Sequence, residues 1–392
     1  MWFVRAISLL LTFLGMPVLG AEGWALTYGG PGGAGTAIMA ERDGTLWVAG
    51  TQPGANYAKQ IWFARTGWDG KVLLERSITK SGVYGSVEIA PAKDGIWIAT
   101  ELLGGQLTVT RGGSLPASKT WLARFNQNGT LTVERVIDGF RVVQPRAITA
   151  LSDGGLLIAG HAMAGDDQEA KGWLSRLNSE GRTVWSKLVP EAWWLNAMTP
   201  LQNGHFLVAG TSSAADKLAR PWVAEVDANG KFYKMRRLDF VGAEAWAVWA
   251  SDGVIWLGGR QVPPACKQCA DDQAANENAW LARINRNGDV LNISLHGMLY
   301  VRALAPTGGG NIAVAGASNW LLGGLNAEAS PVVAIVLQEG ALLSMNPVPG
   351  LPAGEVYGLI HTPEGGLAAT GQSNHGGAWV GRNLPVPSGQ TK

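Results

Sequence analysis

Five stretches of the chain share one order of polar and apolar positions: a polar turn with glycine, a short run of β-branched, aromatic or aliphatic residues, then small ones. They are DGTLWVAG from Asp43, DGIWIAT from Asp94, DGGLLIAG from Asp153, NGHFLVAG from Asn203 and DGVIWLGG from Asp252. Such a run, entered from Asp-Gly or Asn-Gly, predicts a short buried strand after a hairpin, because these pairs adopt the positive φ that tight turns need. With the turn glycine as anchor, the series runs Gly44, Gly95, Gly154, Gly204, Gly253, Gly310 and Gly365, the second unit being one residue short. That spacing is slightly longer than the roughly 40 to 50 residues of a four-stranded propeller blade.

An apolar segment precedes each anchor: GTAIMA from Gly35, SVEIAP from Ser86, RAITAL from Arg146, NAMTPL from Asn196, AWAVWA from Ala245, RALAPT from Arg302 and VYGLIH from Val356. A third segment follows, as in WFAR from Trp62, WLAR from Trp121 and Trp280, and WVGR from Trp379. A fourth then comes after a further turn, such as KVLLERS from Lys71 or TVWSKL from Thr183. The seventh unit lacks a fourth strand, since NLPVPSGQTK after Arg382 offers two prolines and little length. GWALTYGG, residues 23–30, has the form of a fourth strand with nothing before it. The fold expected is therefore all-β: a closed seven-bladed β-propeller of four-stranded blades over residues 21–386, its last blade completed by the N-terminal strand. Closure removes the long open edges that so many strands would otherwise expose.

The DGG…AG…W.AR…NG cadence resembles the bacterial exported propeller repeats described as delta-60 or PQQ-like. The resemblance covers nearly the whole chain after residue 20 and implies architecture more than activity, since propellers carry enzymes, lectins and scaffolds on the same ring. NSEGRTVW, ending at Trp185, is a single echo of the blade motif of quinoproteins, and no set of residues can be carried over as a quinone site. No cofactor is expected.

The opening MWFVRAISLLLTFLGMPVLG carries one positive charge before an apolar run too short to span a bilayer. It reads as a signal peptide, residues 1–20, cut between Gly20 and Ala21, with an uncleaved anchor as the rival; residues 387–392 form a short tail. A periplasmic or secreted protein follows, with no membrane span and expected to be monomeric. The 31 basic residues against 30 acidic ones give no strong positive field, so nucleic acid is not an expected partner.

Half of the 18 tryptophans fall on repeated positions, Trp62, Trp121, Trp173, Trp222, Trp280 and Trp379 in the third strand and Trp47, Trp97 and Trp256 in the second. Large aromatics there fill the space between blades. Trp193 and Trp194 lie outside the pattern and could form an aromatic face. Cys266 and Cys269 are the only cysteines. An even count in an exported protein favours a disulfide, with a redox pair, a zinc site or free thiols as alternatives. The five histidines lack metal-site spacing and read as surface or turn residues. His161 with Asp166, Asp167 and Glu169 reads as a solvated acidic turn rather than a calcium loop, and no metal is expected.

Eight positions before the anchors, where the first strand would line the central channel, stand Thr36, Val87, Arg146, Asn196, Ala245, Arg302 and Tyr357, with Glu88, Glu244 and Glu355 beside them. Arg146 and Arg302 make an anion the natural guest, with Asn196 and Tyr357 adding neutral hydrogen bonds. The competing expectation is that the glutamates already neutralise the arginines. The second-to-third-strand loops vary most, reaching residues 101–120 and 261–279, and function on a rigid scaffold usually resides in such loops. The expected function is a non-enzymatic exported scaffold that binds a protein or polymer of the cell envelope through one face. The alternatives are a propeller enzyme (hydrolase, lyase or quinone-dependent oxidoreductase) and a glycan-binding module.

Overall fold

A computed structural model describes residues 24–28, 32–54, 59–67, 69–104, 117–164, 169–213, 218–261, 278–318, 329–351, 353–363, 365–374, 377–382 and 384. Among the described residues there are 28 strands, β1 to β28 in chain order, and no helix. They form seven four-stranded antiparallel sheets. The first strands of the sheets, β2 (Ala34–Ala40), β6 (Val83–Ala92), β10 (Val142–Ala150), β14 (Trp194–Pro200), β18 (Ala243–Ser251), β22 (Met298–Pro306) and β26 (Gly354–His361), contact one another around the ring and line its axis. The molecule is a seven-bladed β-propeller, as the repeat predicts.

Closure also follows the expected route. β1 (Trp24–Tyr28) pairs antiparallel with β28 (Gly377–Arg382), bringing Trp24 opposite Arg382 and Tyr28 opposite Ala378. The seventh blade is thus built from strands at both ends of the described residues, in the order β1-β28-β27-β26.

The core is not one mass but seven clusters, each shared by two neighbouring blades. Trp62 packs with Ala368 and Val380 of blade seven, Trp121 with Ile61 and Phe63 of blade one, and Trp379 with Ala313 and Val333 of blade six. All nine tryptophans at the repeated positions are buried. Several third-strand indole N–H groups find partners: Trp62 donates to Glu75 at 2.8 Å, Trp121 to Glu134 at 2.7 Å and Trp173 to Ser186 at 2.8 Å, whereas the second-strand Trp47 and Trp256 bury Nε1 without one. Trp62, Trp121 and Trp173 therefore remove a large apolar surface from water without stranding their one polar atom.

The small residues that end each repeated phrase have a specific cause. A Cβ on Gly50, Gly160, Gly210, Gly259, Gly316 or Gly371 would lie within about 2 Å of a backbone carbonyl of the first strand, that of Ala34, Gln144, Trp194, Glu244, Tyr300 or Glu355. Only glycine permits that approach. It is needed because the first strand bulges there in each of these six blades, the register slipping between Gly35 and Ala37, Pro145 and Ala147, Leu195 and Ala197, Ala245 and Ala247, Val301 and Ala303, and Val356 and Gly358. In blade two the equivalent residue is Thr100, and the bulge is wider, running from Tyr84 to Val87. The Thr100 hydroxyl donates to Ser86 O at 2.8 Å, occupying the space that the other blades leave to a close backbone.

Candidate functional site

A bulge re-aims the extra residue it contains. The extra residues, one per blade except in blade two, are Thr36, Gly85 with Ser86, Arg146, Asn196, Trp246, Arg302 and Tyr357. This ring at one mouth of the channel corrects the count from the anchors in two blades. In blade five the hairpin from Ser251 to Val254 has only two loop residues, so the position is taken by Trp246, and Ala245 is buried. In blade two Val87 is buried and paired, and Ser86 bulges instead.

Two members of the ring are tied into the wall. Thr36 Oγ1 donates to Val87 O at 2.7 Å and accepts from Val87 N at 2.9 Å, joining blades one and two. Asn196 Nδ2 donates to Ala245 O at 2.9 Å, joining blades four and five.

The three glutamates do not ion-pair with the two arginines. Glu244 accepts from Trp246 Nε1 at 3.0 Å and forms a salt bridge with Arg260 at 3.2 Å. Glu88 accepts from Ser86 Oγ at 2.6 Å. Glu355 faces the Tyr300 and Tyr357 phenols, which burial and its negative charge push up from their usual range. Among the described residues, Arg146 and Arg302 have no carboxylate within salt-bridge distance. Arg146 makes one long hydrogen bond, to Gln144 Oε1 at 3.3 Å, and the Nε atoms of both arginines are buried without a partner.

Arg302 is held by rings instead. Its guanidinium lies 3.8 Å from the Trp246 ring centroid, 5.1 Å from that of Tyr300 and 5.8 Å from that of Tyr357. Trp246 and Tyr300 are themselves 5.7 Å apart. The opposite wall carries the second arginine. Burial pulls the Arg146 guanidinium down from its usual value, nearby Glu88 and Glu101 raise it, and the charge of Arg302 lowers it.

Around Arg146 sit Glu88, which the sequence marked, and Glu101 and His161, which it did not mark as part of the rim. Glu101, at the end of β7 (Gly95–Leu103), is 4% exposed, and its Oε2 has no hydrogen-bond partner. Burial pushes its carboxyl up. Burial also pushes the Glu88 carboxyl up to about 7, against the lowering effects of the Ser86 hydroxyl and Arg146. His161 is a strand residue of β11 (Leu156–Met163), not part of a solvated turn. Burial, with Arg146 adding to it, brings it down to about 3, so it is neutral at physiological pH, and its Nδ1 is sealed and unpartnered. The expected acidic turn is only partly tested, because Asp166 and Asp167 lie outside the described residues; no group of three or more potential ligands converges on a metal site among those described. Of the other histidines, His205 contacts Glu225 at 2.7 Å and stacks on Tyr233.

Trp193 and Trp194 are half-buried, with ring centroids 6.4 Å apart, and Trp194 is 6.4 Å from His161. They border the same mouth. Cys266 and Cys269 lie outside the described residues, as do most of the two long loops. At the other end of the strands a cleft of about 520 Å³ between blades four and five is lined by Leu207, Val223, Ile255, Ile284, Lys234 and Arg286. None of the expected site residues borders it.

No protein-family model and no curated protein matches the chain. Solved structures do match. A catalytically inactive virginiamycin B lyase from Staphylococcus aureus with quinupristin is 11% identical, with a TM-score of 0.60 over 93% of this chain and 99% of that one. Hydrazine synthase from Kuenenia stuttgartiensis is 12% identical, with a TM-score of 0.57 over 88% of this chain and 94% of that one. The Pan2 WD40 domain of Neurospora crassa is 12% identical, with a TM-score of 0.54 over 92% of this chain and 94% of that one. At such identity the likeness is one of fold, and these neighbours include enzymes and a WD40 domain alike.

Proposed function

We propose that this chain is an exported binding propeller that recognises an anionic group, presented by a protein or polymer of the cell envelope, at the channel mouth lined by the bulge residues. The observation that carries the reading is that Arg146 and Arg302 occupy corresponding bulges without a carboxylate partner among the described residues, each with a buried, unpartnered Nε. A buried guanidinium left unpaired is costly unless something completes its hydrogen bonds. A carboxylate or phosphate presents matching acceptors to a guanidinium fork. The resemblance to exported propeller repeats and the apolar leader support the envelope location.

The test is titration of the full-length protein with acetate, inorganic phosphate and acidic polymers at low salt, with Arg146→Gln and Arg302→Gln as variants. Weaker binding in both variants, with an unchanged melting temperature, supports the site. Equal affinity in wild type and both variants places recognition in the loops.

A second reading draws on Glu88. A carboxyl titrating near 7 beside an unpaired guanidinium is composed like a general acid or base next to an anion clamp, so an acid–base enzyme is the rival. Loss of turnover on a bound ligand in Glu88→Gln, with binding retained, would favour it.

A further inference from the structure

The polar atoms left without partners at the mouth are not all donors. Arg146 Nε and Arg302 Nε can donate, but Glu101 Oε2 accepts and His161 Nδ1 is a ring nitrogen whose role depends on its tautomer. A simple anion satisfies only the first group. We propose that the mouth recognises a hydroxylated carboxylate, the uronate type of sugar unit in an acidic polysaccharide. Arg146 and Arg302 take the carboxylate, and Glu101 with His161 takes hydroxyl groups. The inference rests on the anion-binding reading above and names its ligand.

Charge supports a single carboxylate over a more highly charged group. Arg146 has Glu88 and Glu101 as electrostatic neighbours, and Glu355 stands beside Tyr357 and Tyr300, so the mouth is not a field of positive charge that would hold a dianion. A hydroxyl is the donor that a buried carboxyl oxygen can take without bringing a second charge. Glu101 Oε2 lies in such a place, 3.6 Å from where a side chain on Gly85 would begin. That glycine has a φ of +75° and keeps the approach to Glu101 open.

The rings suit a sugar as well. Trp194 stands half-buried beside His161, with Trp193 next to it, where the apolar C–H face of a pyranose can lie against an aromatic plane. A protein partner would need apolar anchors. Among the described residues, the large hydrophobics exposed in this structure lie mainly on the outermost strands, as at Leu73, Val136, Val184 and Leu343, with Tyr84 and Leu218 the exceptions toward the mouth.

Calorimetric titration of the full-length protein with four probes tests this: a galacturonate trimer, the neutral galactose trimer, inorganic phosphate, and a short peptide ending in glutamate. The galacturonate trimer is expected to bind, at least about tenfold tighter than each of the others, which corresponds to about 1.4 kcal/mol. Arg302→Gln and Glu101→Leu should each weaken it by a similar factor, and Glu101→Gln, which keeps an acceptor oxygen, should weaken it less. Equal binding of phosphate or the acidic peptide overturns the sugar-acid assignment and leaves the anion site standing. Equal binding of the neutral trimer overturns the carboxylate's part in it. Wild-type affinity in both Glu101 variants removes the hydroxyl contact, and failure of all four probes removes this proposal and the anion reading together.

Discussion

The Arg302 guanidinium lies 3.8 Å from the ring centroid of Trp246, although the two residues come from adjacent blades and sit on equivalent bulges. Trp246 is in turn held by its indole N–H bond to Glu244 at 3.0 Å. The arginine is therefore oriented by an aromatic plane rather than by a carboxylate, which leaves its hydrogen-bonding edge for a guest. Trp246→Leu should leave the half-buried site folded and weaken anion binding by about five- to thirtyfold, the equivalent of the roughly 1–2 kcal/mol of a partly desolvated cation–π pair. Titration of the variant with acetate or phosphate reads this directly, and a loss of melting temperature without a loss of affinity would contradict it.

Glu88 and His161 act on stability with opposite sign. The Glu88 carboxyl titrates at about 7, above its ordinary 4.5, so between those values the native state holds a proton that the unfolded chain has released, and stability falls as pH rises. His161 titrates at about 3, below its ordinary 6.5, so the unfolded chain holds the extra proton and stability rises with pH. From 4.5 to 6.5 the two slopes oppose one another, each at most about 1.4 kcal/mol per pH unit. Relative to wild type, Glu88→Gln should make stability climb more steeply across this window and His161→Gln should make it climb less. Urea denaturation at several pH values measures both, and parallel pH profiles in all three proteins would contradict the desolvation of the two groups.

Gly316 faces the bulge that carries Arg302. A Cβ there would meet Tyr300 O at 2.0 Å, so Gly316→Ala must push the two strands apart. The expected cost is about 1–3 kcal/mol of stability, as for other overpacked positions, together with weaker anion binding because Arg302 is displaced. Thermal unfolding and ligand titration of the same variant separate the two effects; retained affinity would show that the bulge does not position the arginine.

Deleting residues 21–30 removes β1 and leaves β28 as an exposed edge with unpaired backbone groups. The variant should melt well below the full chain and should aggregate, which light scattering detects. An unchanged melting temperature in a monodisperse sample would show that this strand is dispensable to the ring.

The architecture was legible because a blade is written in local rules: a turn pair with positive φ, alternation, and a wedge tryptophan in six of the seven repeats. Trp62 and its counterparts are buried as their periodicity implies, and the strand at residues 24–28 completes the last blade. The mouth was legible only in part. Arg146, Arg302, Tyr357 and Asn196 fall where the count from the anchors puts them, because their blades keep one hairpin length. Trp246 escaped because the two-residue hairpin at Asp252 and Gly253 shortens its blade, and Ser86 because blade two carries a wider bulge. Glu101 and His161 could not be found this way, since they come from second strands and reach the site only through the pairing of one strand with the next.

The bond between the strand beginning at Trp24 and the one ending at Arg382 acts as a clasp, and a clasp has a consequence in time. Each blade can zip along neighbouring segments as soon as they exist, yet the circle stays an open arc until the residues near 382 are available to meet those near 24. The longest contact in sequence is thus also the last that can be made, and the loop it closes spans almost the entire chain. Before that moment the first and last arms of the arc each offer a bare strand edge. The ring becomes insensitive to its own length only at the instant it shuts.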